Sequence, residues 1–192
     1  DFLTVEQHLE VDATQVFEGD DFDADFVISM GGDGTFLMAA ARVADKRIPI
    51  LGVNMGRLGF LADVRPDEIE QCLSALYADS YSVEEREVLQ ISVDGKPLEG
   101  GCCALNDIAI LKRDNASMIS IRTNINGEYL TTFQADGLIV STPTGSTAYS
   151  LSAGGAILAD SINAFIMTPV SSHSLFHRPV IFSADSVCEL SI

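Results

Sequence analysis

Phe26-Val27-Ile28-Ser29-Met30-Gly31-Gly32-Asp33-Gly34-Thr35 joins a short apolar run to a glycine-rich turn with an acid at its centre. The run reads as a buried strand and the glycines as a tight turn. Thr35 to Ala44, rich in Ala, Leu and Met, then reads as a helix. Ile48-Pro49-Ile50-Leu51-Gly52-Val53 is a second buried strand. Pro66 opens an amphipathic stretch with Ile69, Cys72, Leu73 and Leu76 at helical spacing. Strand, helix, strand, helix implies a parallel sheet with helices on its faces.

Near Ser80 the pattern changes. Val88 to Val93 alternates and meets Asp94-Gly95, a hairpin signal. Ile119 to Ile125 runs into Asn126-Gly127, a second one, and returns through Tyr129 to Phe133. Leu138–Ser141 and Val180–Phe182 add strands, and one helix is expected near Ala148 to Leu158. The expected architecture is therefore an α/β N-terminal domain over residues 1–82, then a β-rich domain over 83–192. The absence of an initiating Met and the apolar finish from Val187 to Ile192 suggest a fragment, or a chain with parts missing.

The 28 acidic and 11 basic side chains leave a formal net charge of −17, which repels nucleic acid and acidic membranes. Neither is an expected partner. An anionic ligand must then be held by local devices such as backbone N–H groups, helix N-termini, a few arginines or a metal ion. No basic-then-apolar start or bilayer-length apolar run is seen. Cys72, Cys102, Cys103 and Cys188 lack CxxC spacing and nearby histidine ligands, which argues against a disulfide framework or zinc site and suits a reducing cytoplasm; the adjacent Cys102 and Cys103 read as packing residues.

Four constellations could carry chemistry. In Gly31-Gly32-Asp33-Gly34-Thr35 the glycines allow close approach of a ligand and positive φ, and the following helix offers unpaired amides suited to phosphate. A central Asp repels phosphate, so its presence implies a second role, either accepting a proton or holding magnesium. The plainer alternative is an Asx turn capping the helix at Thr35, with Asp33 only tuning the turn. The spacing is neither GxGxxG nor GxxxxGK[ST], which excludes the Rossmann fingerprint and the P-loop. Thr142-Pro143-Thr144-Gly145-Ser146-Thr147-Ala148-Tyr149-Ser150-Leu151-Ser152-Ala153-Gly154-Gly155 is either a second nucleotide-competent turn or a hydroxyl-rich cap on a small-residue helix. Asn106-Asp107, at the mouth of a strand, suits ribose hydroxyls and an adenine edge, or a plain turn. Gly52-Val53-Asn54-Met55-Gly56-Arg57-Leu58-Gly59-Phe60-Leu61 places three glycines after a parallel strand, where open α/β sheets bind ligands.

Taken in this order and at these separations, the four segments resemble the NAD kinase family, within the superfamily that also holds diacylglycerol kinases, sphingosine kinases and phosphofructokinases. GGDGT marks the superfamily; the other three segments mark NAD kinases. The resemblance runs from about Phe26 to Phe182. It implies an α/β nucleotide-binding domain with a three-layer parallel sheet, lacking here its first strand and helix, and a β-rich domain incomplete at its C-terminus, with NAD in the cleft between them. It further implies phosphoryl transfer from ATP, another nucleotide or polyphosphate to the 2′-hydroxyl of the adenosine ribose of NAD. Mg²⁺ or another divalent ion would come with the donor phosphates, and the protein would be a homodimer or homotetramer. Asp33 would be the base and, with Gly34, contact NAD. Asn106, Asp107, Asp136, Thr147, Ala148, Tyr149 and Ser152 would complete the NAD site, and Gly31, Gly32, Gly34 and Thr35 would border the donor phosphates. Asn-Asp stands here where Asn-Glu is the commoner family pair.

An Asp carboxylate is too weak a base to ionise a ribose hydroxyl outright. Phosphoryl transfer has a loose transition state, so Asp33 is expected to orient the hydroxyl and accept its proton late. His173, His177 and His8 read as structural; Arg57 and Arg178 are the basic residues best suited to lie near phosphates, with solvated surface charges the favoured reading of each. A lipid kinase sharing GGDGT and a non-catalytic NAD or NADP sensor are the competing readings.

Overall fold

The computed structural model describes Gly19 and residues 21–57, 59–98, 103–113, 117–174 and 176–192. His8, Leu58, Cys102 and Leu175 lie outside the described residues. The chain divides into two compact units between Ile69 and Glu70. The composition shift read from sequence lies about a dozen residues later, because the helix Ile69–Tyr77 goes with the second unit apart from its first residue.

In the first unit, β1 (Val27–Gly31) and β2 (Ile50–Asn54) pair in parallel, Val27 opposite Ile50 and Gly31 opposite Asn54. Helix α1 (Asp33–Val43) connects them, starting two residues earlier than the apolar pattern indicates. Beyond β2 the chain loops out and returns. Val64 bridges Val53 in parallel, so β2 is flanked on both edges. Pro66 opens a 3₁₀ turn at Pro66–Glu68 that leads into α2 (Ile69–Tyr77), whose less exposed positions include Ile69, Cys72, Leu73 and Leu76.

The second unit is a β-structure of short and long ladders. β3 (Leu89–Gln90) pairs with β6 (Cys103–Ala104), and β4 (Ser92–Val93) with β5 (Lys96–Pro97). Asp94 and Gly95 both take positive φ, as a two-residue type I′ hairpin requires. β7 (Asp107–Leu111), β10 (Gly137–Ser141), β11 (Ala164–Val170) and β12 (Val180–Ser183) form an antiparallel sheet in the order β12-β11-β10-β7. β8 (Ile119–Ile125), β9 (Glu128–Ala135) and β13 (Cys188–Ser191) form another in the order β13-β8-β9. Its β8–β9 turn, Asn126-Gly127, again has positive φ at both residues.

These sheets meet in one core. Ile121 and Phe133 from the smaller sheet pack with Leu138, Val140, Phe165 and Met167 from the larger, joined by Leu89. Burying side chains of this size contributes about 1.5–3 kcal/mol each. β11 was not signalled by the sequence pattern. Its residues Ala164 to Pro169 are all buried, so polar–apolar alternation is absent. Pro169 lies two residues beyond Met167, the last residue paired with β12, where a missing N–H costs no bond in that ladder. The helix expected over Ala148–Leu158 is only α3 (Tyr149–Ser152). Gly154 turns the chain at φ +92°, and at Gly155 a side chain would strike Ser150 and Thr168. No helix among the described residues is long and apolar enough to cross a membrane.

Phe133 is 1% exposed at the centre of this core. Phe133→Ala should therefore cost about 3–5 kcal/mol in urea unfolding. A loss below about 1 kcal/mol would show that the two sheets do not rely on it.

Candidate active site

In the first unit, β1 delivers the chain to Gly32, the N-cap of α1, which makes no side-chain capping bond. The Asx turn is not formed. Instead the Asp33 carboxylate reaches 27 to 29 residues along the chain: Oδ2 accepts the amide of Phe60 (2.8 Å), and Oδ1 accepts those of Leu61 (2.9 Å) and Ala62 (3.2 Å). Burial alone would raise the pKa of Asp33, but the three amides outweigh it and hold the carboxyl below its ordinary value.

Two close approaches make this contact possible. A Cβ on Gly59 would overlap the Asp33 carboxylate, and one on Gly52 would lie 2.8 Å from Ala62 Cα and 3.0 Å from the Leu61 carbonyl. The loop itself is held by Asn54, which is only 4% exposed. Its Nδ2 donates to the carbonyls of Arg57 (2.8 Å) and Ala62 (3.0 Å), and its Oδ1 accepts the Gly56 amide (2.8 Å). Sequence reading placed Asn54 in a motif without giving it a role. The one available signal was a small amide side chain at the exit of a parallel strand.

The glycines of the turn fall into two kinds. A side chain on Gly31 would collide with Thr35, so its absence is explained within the unit. Around Gly32 and Gly34 a Cβ would meet nothing within 4 Å. None of the three takes positive φ, which corrects the expectation of left-handed backbone at this turn. Arg57 is exposed, in keeping with a solvated charge.

In the second unit, Asn106 precedes β7, and Asp107, its first residue, pairs with Ser141 at the end of β10. The Asn106 carbonyl accepts the Thr142 amide (2.9 Å), while the Thr142 hydroxyl donates to the neighbouring Leu105 carbonyl (2.5 Å) and the Ser141 hydroxyl to the Thr142 carbonyl (3.0 Å). Gly145 sits so close that a Cβ would overlap the Asn106 backbone. Asp107 is half-buried, and burial pushes its carboxyl above the ordinary value.

The long motif splits by orientation. Thr142, Ser146 and Ser150 are fully buried. Thr142 Oγ1 accepts the Gly145 amide (3.0 Å), Ser146 Oγ accepts the Leu158 amide (2.9 Å), and Ser150 shares a hydrogen bond with Thr168 (2.9 Å). Ala148, Tyr149 and Ser152 are exposed and Thr147 partly so, following a 3₁₀ turn at Thr144–Thr147. Arg86, which the sequence reading missed, pairs with Glu84 (3.1 Å) and Asp160 and donates to the Thr144 hydroxyl (3.2 Å), so it braces this turn.

Asp136 does not join this group. It stands ahead of β10, five residues and about 16 Å of strand from Ser141, and pairs with Lys112 (2.6 Å). Only the register of β10 reveals this, since adjacency in sequence to the long motif suggests the opposite. His177 Nδ1 lies 2.9 Å from the Ser172 hydroxyl and its ring packs edge-on against Phe133 at 5.0 Å, a structural placement. His173 is exposed, with its amide donating to the Gln134 carbonyl. Arg178 is exposed and donates to the His177 carbonyl (3.0 Å).

A parallel strand pair ending in an acid-bearing glycine turn, followed along the chain by two antiparallel sheets around one core and a hydroxyl-rich motif, is the arrangement of elements and motifs expected from the sequence. Comparison with known proteins is more specific. Residues 4–81 match the ATP-NAD kinase N-terminal domain and residues 105–192 the ATP-NAD kinase C-terminal domain. The chain is 58% identical to an NAD kinase of Bacteroides fragilis, with 96% of this chain and 63% of the relative covered. It is 42% identical to an NAD kinase of Geotalea daltonii, with 98% and 68% covered. Among solved structures it resembles an NAD kinase from Archaeoglobus fulgidus in complex with ATP, at TM-score 0.75 and 31% identity over 98% of this chain and 74% of that one. It also resembles yeast NADH kinase complexed with NADH, at TM-score 0.77 and 31% identity over 88% and 53%. The chain belongs to the NAD kinase family, and it spans just under two thirds of the length of the Bacteroides relative.

The amide contacts of Asp33 carry a pH signature. Its folded pKa lies below the ordinary ~3.9, so the carboxylate stabilises the fold above that value and the contribution is lost as pH falls through the folded pKa. Asp33→Asn should be less stable than the parent at pH 7 by on the order of 1 kcal/mol. That gap should narrow below about pH 4. An equal gap at both pH values would mean that the carboxylate charge does not hold residues 60–62.

Proposed function

We propose that this protein transfers a phosphoryl group from ATP, another nucleotide or polyphosphate to the 2′-hydroxyl of the adenosine ribose of NAD, giving NADP. The observation that carries the proposal is the Asp33 carboxylate, fixed by three amides beside Gly32 and Gly34, whose open sides leave room for a ligand to approach the backbone. Family membership supports the same reading.

Asp33 stays anionic at neutral pH, and with a depressed pKa it is a weak base. Its part is to accept a hydrogen bond from the ribose hydroxyl, set that oxygen toward the donor, and take the proton as the bond to phosphorus forms. A loose transition state asks for no more. Gly32, Gly34 and the first turn of α1 offer backbone amides to the donor phosphates. Asn106, Asp107, Thr147, Ala148, Tyr149 and Ser152 would contact the dinucleotide. Asp107, whose carboxyl burial holds above its ordinary value, suits a hydrogen bond with a ribose hydroxyl. Three of the roughly four acceptor positions of Asp33 are filled by amides, which fits a divalent ion held by the donor phosphates instead of by the chain. Such an ion would neutralise charge on the transferring group.

Full-length protein incubated with NAD, ATP and Mg²⁺ should form NADP, detected chromatographically. Asp33→Asn should lower kcat by about 10²-fold or more while the Kd for NAD stays within about threefold. Binding of NAD without turnover in the parent would identify a sensor, and indifference to NAD would point to another kinase of the superfamily.

A further inference from the structure

Asn54 touches no group assigned to substrate, yet both ends of its side chain are hydrogen-bonded within the loop that holds Asp33. All three of its hydrogen bonds go to the backbone of one loop, at Gly56, Arg57 and Ala62. Ala62 is shared. Its carbonyl accepts from Asn54 Nδ2 at 3.0 Å, and its amide donates to Asp33 Oδ1 at 3.2 Å. The same peptide segment is therefore gripped from one side by an amide side chain and from the other by the acid. Ala62 is 0% exposed and Asn54 4% exposed, so water does not replace these bonds at small cost.

The strand geometry explains why this residue type is needed. Asn54 ends β2, opposite Gly31 of β1, and its own amide donates to the Val64 carbonyl (2.7 Å). The chain leaves β2 at Asn54 and is back beside it at Val64, so the loop between must close on itself. The Gly56 amide and the Arg57 and Ala62 carbonyls turn inward there. A side chain with one acceptor and two donors, short enough to stay inside the loop, meets that demand. Asp would supply no donors, and Leu would leave the Gly56 amide and two carbonyls without these bonds.

We propose that Asn54 is a positioning residue for phosphoryl transfer: by fixing the loop through Ala62 it aims the Phe60, Leu61 and Ala62 amides at Asp33 and so sets the direction of the carboxylate. This rests on the function proposed above. Misplacing a reacting group by about 1 Å costs up to roughly 10²-fold in rate, so a residue that sets the carboxylate's direction acts on kcat far more than on binding.

The test is a double-mutant cycle on kcat in the full-length protein, combined with amide NMR of Phe60, Leu61 and Ala62. Asn54→Ala should lower kcat about 10- to 100-fold with KM for NAD and ATP within about threefold. Added to Asp33→Asn, it should lower kcat less than about twofold further, because its route of action is already gone. A merely structural role would multiply the two losses, and that result overturns the proposal. In the NMR arm, Asn54→Ala should shift the three amides upfield as the loop moves off the carboxylate, and Asp33→Asn should do so as a neutral carboxamide replaces the charged acceptor. Unmoved amides in Asn54→Ala overturn it too. If Asn54→Ala does not fold, Asn54→Asp keeps the acceptor for Gly56 and removes the two donors, and is read by the same criteria. If the parent makes no NADP under any donor, the kinase reading falls, while the NMR arm still decides whether Asn54 controls the carboxylate.

Discussion

A single carboxylate tied to a distant stretch of backbone organises the first unit. Asp33 sits at the start of α1, yet its partners are three consecutive peptide groups at residues 60–62. Consecutive amides rarely point the same way in a strand, where they alternate, so the segment must be bent to present them. That bend dictates the rest. Gly59 must lack a side chain to admit the carboxylate, Gly52 must lack one so that Leu61 and Ala62 can lie against β2, and Asn54 must fill the inside of the loop. The three glycines in the segment from Gly52 to Gly59 are thus not equivalent. Two are there for close contacts, and Gly56 has open space where its side chain would be.

The second unit solves a related problem with hydroxyls. Its pivot is the Leu105–Asn106 stretch, whose carbonyls accept the hydroxyl and the amide of Thr142. Gly145 then packs flat on the same stretch. Thr142, Ser146 and Ser150 point inward and are satisfied by the chain itself, which leaves Ala148, Tyr149 and Ser152 facing outward. Polar residues spent in this way make a rigid turn from very short side chains. A turn built so holds its outward groups in place without needing a long helix beneath them.

Local signals were legible in the sequence and long-range ones were not. Both Asn-Gly and Asp-Gly hairpins form as read, because φ > 0 at two adjacent residues is a requirement written in the residue types. The β1–α1–β2 alternation is legible for the same reason: each element carries its own period. β11 has no period to read, being buried along nearly all of its length. The contact of Asp33 with Leu61 spans 28 residues, and no local rule relates the two. Asp136 shows the converse case. Its neighbours in sequence form the hydroxyl-rich motif, but five residues of extended strand carry it to the opposite end of the sheet, where Lys112 neutralises it.

The strength of the Asp33 contacts has a chemical consequence. Every amide that fixes a carboxylate also stabilises its charge, so geometry is gained at the expense of basicity. For a reaction that begins with proton removal this exchange would be a poor one. For phosphoryl transfer it is favourable, since the acceptor oxygen needs to be aimed more than ionised and the proton can leave late. A chain of net charge −17 has a further reason to hold its acid by amides. In the proposed reaction an arginine partner would neutralise the carboxylate meant to accept the proton, whereas three peptide dipoles constrain Asp33 and leave its full charge in place. The glycine turn and the loop beyond β2 can therefore be understood as one device, in which backbone groups do the work that a basic side chain does elsewhere.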